Sequence, residues 1–200
     1  MSQYTIIEDC SPYYIRFTFD GLLDVIEYIK SLEVESRRPK RAFSNNTFSV
    51  KNGTNIVSKL PMFKDFNWQY DRVSIFKTPP GKCSSIHKDG SFTEVGLNIP
   101  LTILDNKCIT SWYADELFKS FLVPYTRIVS IDNFDFPTLK ETILQPNEMV
   151  LFNVGIFHGW QNKSENIREV LTLRFNEVGP DNNRYIVSFD DAKRILFNKE

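Results

Sequence analysis

The chain has 200 residues, 42% of them hydrophobic, with 17 phenylalanines and a net charge of −1 from 24 basic and 25 acidic residues. Such a length and apolar content exclude a disordered chain and suit one domain with a sizeable core. The even charge excludes a global attraction to nucleic acid or to an anionic membrane.

The N-terminal MSQYTIIEDCSPYY has no basic region followed by an apolar run, so it does not read as a signal peptide. No stretch approaches the ~20 apolar residues of a membrane span. Cys10, Cys83 and Cys108 are scattered and form no CxxC or CxxH pair. That argues against structural zinc and fits a reducing compartment. A soluble, intracellular (cytoplasmic) protein is the expectation.

Residues 13–19, YYIRFTF, are aromatic and β-branched and predict a strand. In residues 20–33, Leu22, Val25, Ile26, Ile29 and Leu32 recur at helical spacing behind Asp20, a candidate N-cap. This amphipathic helix needs a partner for its apolar face, most simply the back of a sheet. Residues 34–55 are polar and hold Pro39, Asn45, Asn46, Asn52 and Gly53, the composition of a loop or weak hairpin. The run SRRPKR at 36–41 reads as a solvated loop, with a phosphate or nucleic-acid patch as the alternative.

From residue 70 the pattern changes. DRVSIFKT, EVGLNIPLTI, CITSWYA, EMVLFNV, IFHGWQ and REVLTLRF have strand composition, and PPGK, KDGS, LDNK, QPNE and GPDNN punctuate them. Short strands with such turns predict a sandwich or barrel. DELFKSF (115–121) and DDAKRILF (190–197) are candidate short helices. The expected fold is a single mainly β domain, about eight strands with a few supporting helices packed on one face. It divides into an N-terminal support region (1–69), a core (about 70–176) and a C-terminal extension (177–200).

The chain has two histidines. His87 and Asp89, in SSIHKDGSF, stand two residues apart, so on an extended strand both point to one side. Gly90 behind them suits a turn. The third ligand would be His158, in LFNVGIFHGWQN. Two histidines and a carboxylate on one face of an octahedral metal leave the opposite face open, the facial triad of non-haem Fe(II) oxygenases. Ten residues on, Arg168 opens a strand in which Arg168, Val170, Thr172 and Arg174 share one face and Leu171, Leu173 and Phe175 the other. With the apolar face against the helices, both arginines turn inward. A buried arginine is costly unless an anion meets it.

His87-x-Asp89, His158 and Arg168 in this order resemble the HxD…H…R pattern of Fe(II)/2-oxoglutarate-dependent dioxygenases. EVGLNIPLTI and NEMVLFNVGIFHGWQN…REVLTLRF are similar to the aspartyl/asparaginyl β-hydroxylase and prolyl-hydroxylase branches. The likeness spans about residues 70–176. It implies a double-stranded β-helix, or jelly roll, with Fe(II), 2-oxoglutarate and O2 as cofactor and co-substrates. His87, Asp89 and His158 would be the iron ligands, and Arg168 would bind the far carboxylate of 2-oxoglutarate. Arg174 is the second candidate for that carboxylate, or a substrate contact. Asn98 would face the co-substrate, and Trp160 and Trp112 would line the substrate side. The implied activity is hydroxylation of a C–H bond in a peptide or protein side chain or an amino-acid-like small molecule; the even charge argues against a nucleic-acid or membrane partner, with an oxygenase acting on nucleic acid through SRRPKR as a further variant. The alternatives are a cupin-like metal enzyme that does not use 2-oxoglutarate and a non-catalytic jelly-roll binding module. For Arg168 the competing role is an ion pair with Glu165 or Glu169.

Overall fold

The structure, a computed structural model, describes residues 4–32, 34–36, 46–50, 53–89, 93–102, 105, 107–119, 128–129 and 136–197. Most of the basic run at 36–41, and Gly90, lie outside the described residues. The elements run β1 (Tyr4–Cys10), β2 (Tyr14–Phe19), α1 (Leu22–Ser31), β3 (Val34–Ser36), β4 (Asn46–Val50), α2 (Gly53–Val57), α3 (Pro61–Asp65), β5 (Trp68–Thr78), β6 (Ile86–His87) and β7 (Val95–Pro100). They continue with β8 (Cys108–Tyr113), a 3₁₀ turn (Asp115–Phe118), β9 (Ile128–Val129), β10 (Lys140–Ile143), β11 (Met149–Asn153), β12 (Phe157–Asn162), β13 (Arg168–Val178), β14 (Arg184–Tyr185) and α4 (Phe189–Phe197).

Two antiparallel sheets face each other. The larger runs β1-β2-β11-β7-β13-β5-β4-β3, with β14 on the end of β13; the smaller runs β10-β8-β12-β6-β9. Within them, β11-β7-β13-β5 opposes β10-β8-β12-β6, and the chain passes back and forth between the two. This is the double-stranded β-helix. Around it, β1 and β2 extend one edge of the large sheet and the β3–β4 hairpin extends the other. The polar stretch expected as a loop or weak hairpin therefore contributes two paired strands. β1 escaped the sequence reading because its exposed Thr5, Ile6 and Ile7 break the alternation of a half-buried strand.

Strand alternation sorts the core into two layers. On the outer face of the large sheet, Ile15 and Phe17 of β2, Leu97 and Ile99 of β7, Leu151 of β11 and Leu171, Leu173 and Phe175 of β13 are buried against the helices. Those helices supply Leu22, Val25, Ile26 and Ile29 from α1, Ile56 and Val57 from α2, Met62 from α3 and Phe189, Ala192 and Leu196 from α4. Supporting helices thus cover one face, as the amphipathic spacing implies. Between the sheets lies a second cluster, with Tyr14, Val150, Phe152 and Val170 facing Cys108 and Trp112.

α1 keeps its predicted face but not its predicted cap. The N-cap is Gly21, in the left-handed region at φ 90°, and no side chain caps the helix. Asp20 is one residue too early, because the chain must reverse sharply between β2 and α1 and only glycine takes that conformation without strain. In the described part of DELFKSF, residues 115–119, Asp115–Phe118 form a 3₁₀ turn rather than an α-helix. Among the described residues, no helix is long and apolar enough to cross a membrane.

Candidate metal centre

His87 ends β6 and His158 is the second residue of β12, and the two are direct partners in the ladder. Their neighbours Ile86 and Phe157 are buried on the outside of the small sheet with Tyr113 and Phe118. Alternation therefore turns both imidazoles inward, with ring centroids 4.5 Å apart. Asp89 follows β6 in irregular backbone, where its N–H donates to the carbonyl of Val154, just past β11, at 3.0 Å. This tie brings the third side chain to the same end of the barrel.

Each imidazole is oriented by the backbone. His87 Nδ1 is 2.8 Å from the carbonyl oxygen of Ser85, and His158 Nδ1 is 2.8 Å from that of Ile156. A carbonyl only accepts, so each Nδ1 carries the proton and each Nε2 presents a lone pair. His87 Nε2 lies 3.7 Å from Asp89 Oδ1, and one ligand atom from each of the three residues falls within 4.8 Å of the others. The second carboxylate oxygen, Oδ2, accepts a hydrogen bond from Arg174 Nε at 2.6 Å.

The electrostatics suit a cation. Burial pushes the Asp89 carboxyl up, but Arg174 above all, with the two imidazoles, holds it well below the usual carboxylate range. Burial, then the neighbouring His87, pushes His158 down to about 3, so its ring is neutral at physiological pH. Two imidazole nitrogen donors and one carboxylate oxygen on one side of a common point are a donor set for a divalent transition metal with open positions.

Arg168 enters the space between the sheets from the start of β13. It is 3% exposed, lies 5.3 Å over the Trp160 ring, and its Nε has no hydrogen-bond partner. Burial lowers its pKa to about 10, which leaves it a cation at neutral pH. Glu169 does not neutralise it, because that carboxylate pairs with Lys77 at 2.7 Å; Glu165 is exposed. Among the described residues, no carboxylate pairs with Arg168. A buried cation without a counter-charge is unfavourable, and a carboxylate-bearing ligand would satisfy it.

The remaining sequence-selected residues are placed as follows. Asn98 is on the inner face of β7 with Oδ1 accepting from the Thr172 hydroxyl at 2.9 Å. Trp160 covers Arg168. Trp112, a candidate for the substrate side or for support of the ligands, is fully buried in the inter-sheet core. It stacks on Tyr14 with centroids 5.2 Å apart, and its Nε1–H donates to the Asn153 carbonyl at 3.1 Å. It stands opposite His158 in the ladder, so its ring lies beside that imidazole on the inner face of the small sheet. Arg174, the second candidate for a co-substrate carboxylate, is engaged with Asp89. Sequence reasoning passed over Gly96, which sits opposite Arg174. An isolated glycine inside the strand pattern EVGLNIP was the available signal, since such a residue marks a close approach.

No protein-family model and no curated protein matches the sequence. Solved structures do match in fold. An oxidoreductase of the 2OG-Fe(II) oxygenase family from Burkholderia pseudomallei aligns with a TM-score of 0.57 at 11% identity, over 82% of this chain and 84% of that one. HygX from Streptomyces hygroscopicus, with nickel, 2-oxoglutarate and hygromycin B bound, aligns with a TM-score of 0.53 at 10% identity, over 94% and 92%. The epimerase SnoN, in complex with Fe3+, alpha ketoglutarate and nogalamycin RO, aligns with a TM-score of 0.52 at 7% identity, over 82% and 79%. At these identities the likeness is one of fold: the jelly roll of this chain is the one used by 2OG-Fe(II) oxygenases.

Proposed function

We propose that the protein is an Fe(II)- and 2-oxoglutarate-dependent oxygenase that hydroxylates a C–H bond of a peptide or protein side chain or of an amino-acid-like small molecule. The observation that carries the reading is the donor set: two Nε2 lone pairs and one Asp89 oxygen turned to a common point, with a buried arginine in the same inter-sheet space that pairs with no carboxylate among the described residues and whose Nε lacks a hydrogen-bond partner. The fold neighbours that hold a metal with 2-oxoglutarate support it. So does the similarity of the strand segments around Asn98 and His158 to the asparaginyl and prolyl hydroxylase branches. Two of these neighbours also hold small-molecule ligands, which favours keeping small molecules beside peptides as substrate candidates.

Bound together, Fe(II) and 2-oxoglutarate supply an O2-dependent oxidative decarboxylation to succinate and CO2, coupled to oxidation of a substrate C–H bond. The chain supplies the geometry. His87 and His158 would hold the metal through Nε2, and their Nδ1–H bonds to Ser85 and Ile156 keep the rings from turning. Asp89 would add the charged oxygen. Arg168, with Trp160 against its face, would grip the far carboxylate of 2-oxoglutarate and set its approach. Phe152, which meets His158 edge-on at 5.0 Å, and Trp112 keep water from the inner side of the ligands.

The deciding experiment is anaerobic titration of the metal-free protein with Fe(II) and then 2-oxoglutarate, followed by admission of air and measurement of succinate. Saturable 2-oxoglutarate binding that requires metal, and succinate formation abolished in His87→Ala, are the expected results. A metallated protein that does not bind 2-oxoglutarate would overturn the reading in favour of a cupin-like enzyme or a binding module. Screening peptides and free amino acids for a gain in succinate over the uncoupled rate then addresses the substrate.

A further inference from the structure

β7 carries Gly96 in its interior, between the fully buried Val95 and Leu97. Glycine weakens a strand, because it loses more chain entropy on folding and packs nothing. The backbone at Gly96 is not in the left-handed region, so conformation does not demand glycine there. Space does. Gly96 is the direct partner of Arg174 on β13 and of Phe152 on β11. A Cβ on Gly96 would fall inside the contact distance of Arg174 Nη1, 2.9 Å from Cζ and 3.2 Å from the Leu173 carbonyl oxygen. The guanidinium therefore occupies the place of the missing side chain. Lying across β7 in this way, it reaches Asp89, with Nε 2.6 Å from Oδ2.

We propose that Gly96 and Arg174 form a positioning device for Asp89. The notch left by glycine seats the guanidinium across β7, and the guanidinium binds one carboxylate oxygen so that only Oδ1 is turned toward the histidines. The role rests on the reading of His87, Asp89 and His158 as metal ligands. Asp89 needs such help because it sits beyond the end of β6, in irregular backbone tied to Val154 through its N–H. A carboxylate on irregular backbone is free to rotate and to offer either oxygen, or both. The planar, directional guanidinium removes that freedom, as the backbone carbonyls do for the imidazoles. A lysine supplies charge but not the fixed direction.

The test compares wild type with Gly96→Ala, Arg174→Ala, Arg174→Lys and the double variant Gly96→Ala/Arg174→Ala. Urea unfolding of the metal-free proteins reads the notch. Gly96→Ala should be less stable than wild type, whereas the double variant should be no less stable than Arg174→Ala, because the methyl then enters space the guanidinium has left. Calorimetric titration with Mn(II) and the visible spectrum of the Co(II) form read the positioning. Gly96→Ala and Arg174→Ala should each weaken Mn(II) binding by about 10–100-fold and change the Co(II) spectrum. The double variant should be no worse than either single one, since both act through one contact. Arg174→Lys should recover only part. Gly96→Ala with wild-type stability, or Arg174→Ala with wild-type Mn(II) affinity and Co(II) spectrum, would overturn the proposal. A wild type that binds neither Mn(II) nor Co(II) would instead overturn the metal reading on which it rests, and the size swap would still judge the notch. Should Gly96→Ala not fold, rescue of the fold in the double variant supports the notch, and Arg174→Ala alone still tests the positioning.

Discussion

At the scale of single residues, the chemistry is concentrated in side chains whose partners are backbone atoms or each other. His87 and His158 owe their orientation to two carbonyls, and Asp89 owes its orientation to Arg174. Replacing any one ligand by alanine should abolish tight Mn(II) binding yet leave the far-ultraviolet circular dichroism unchanged. The β core does not depend on them: loss of strand signal in His87→Ala would contradict this. Arg168 behaves in the opposite sense. Among the described residues no carboxylate pairs with its buried guanidinium, so Arg168→Met should be neutral or stabilising in the metal-free protein, by at most about 4 kcal/mol, and should lose 2-oxoglutarate binding. Denaturant unfolding and ligand titration on the same sample check both halves. A variant markedly less stable than wild type would mean that the guanidinium has a structural role. The two histidines stood out because the chain has no others, and Arg168 because it follows His158 by ten residues at the start of an alternating strand. The link from Arg174 to Asp89 was not, because 85 residues separate the two and only the barrel brings them together.

At the scale of elements, the face of each strand and helix was readable and the ends were not. The alternation in β13 sends Leu171, Leu173 and Phe175 to the helices and Arg168 and Arg174 inward, as periodicity implies. The helix DDAKRILF is present as α4, whose fully buried Leu196 joins the core cluster. Leu196→Ala should cost about 2–5 kcal/mol in urea unfolding, whereas substitution of the exposed Asp190 should change little. The start of α1 is set by a reversal of the chain that composition does not show. Gly21→Ala should cost about 1–2 kcal/mol because φ at that position is 90°. An alanine variant as stable as wild type would show that the turn can relax. β6 and β9, two residues each, lie below the length at which any sequence pattern identifies a strand.

At the scale of the whole molecule, the large sheet is the frame and the small sheet the lid of one inter-sheet space. β7 and β13 are paired on both sides and buried on both faces, while β1 and β3 are edge strands. Amide hydrogen exchange should therefore be slowest in β7 and β13 and fastest in β1 and β3 among the strands of that sheet. Uniform protection across the large sheet would contradict the layering. Segments before residue 70, which carry no recognisable motif, extend both edges of the sheet and supply three of the four helices that back it among the described residues. Their apolar residues were visible in the sequence, but their place in the sheet was not: the β1–β2 pair joins the core only through β2 and the distant β11, and the β3–β4 pair only through β4 and β5.

The sequence by itself determined the class of fold, the inward and outward faces of its long strands, and the residue types able to bind a metal and an anion. These follow from local periodicity and from the chemistry of single side chains, which need no knowledge of distant neighbours. Only the tertiary structure decided that His87 and His158 are ladder partners, that Trp112 is core, and that Arg174 lies in the space of a missing Cβ to hold Asp89. Those are contacts between segments remote in sequence. Strand register and close packing set them, and a one-residue slip of β7 against β13 would replace Gly96 by Val95 or Leu97 beneath the guanidinium.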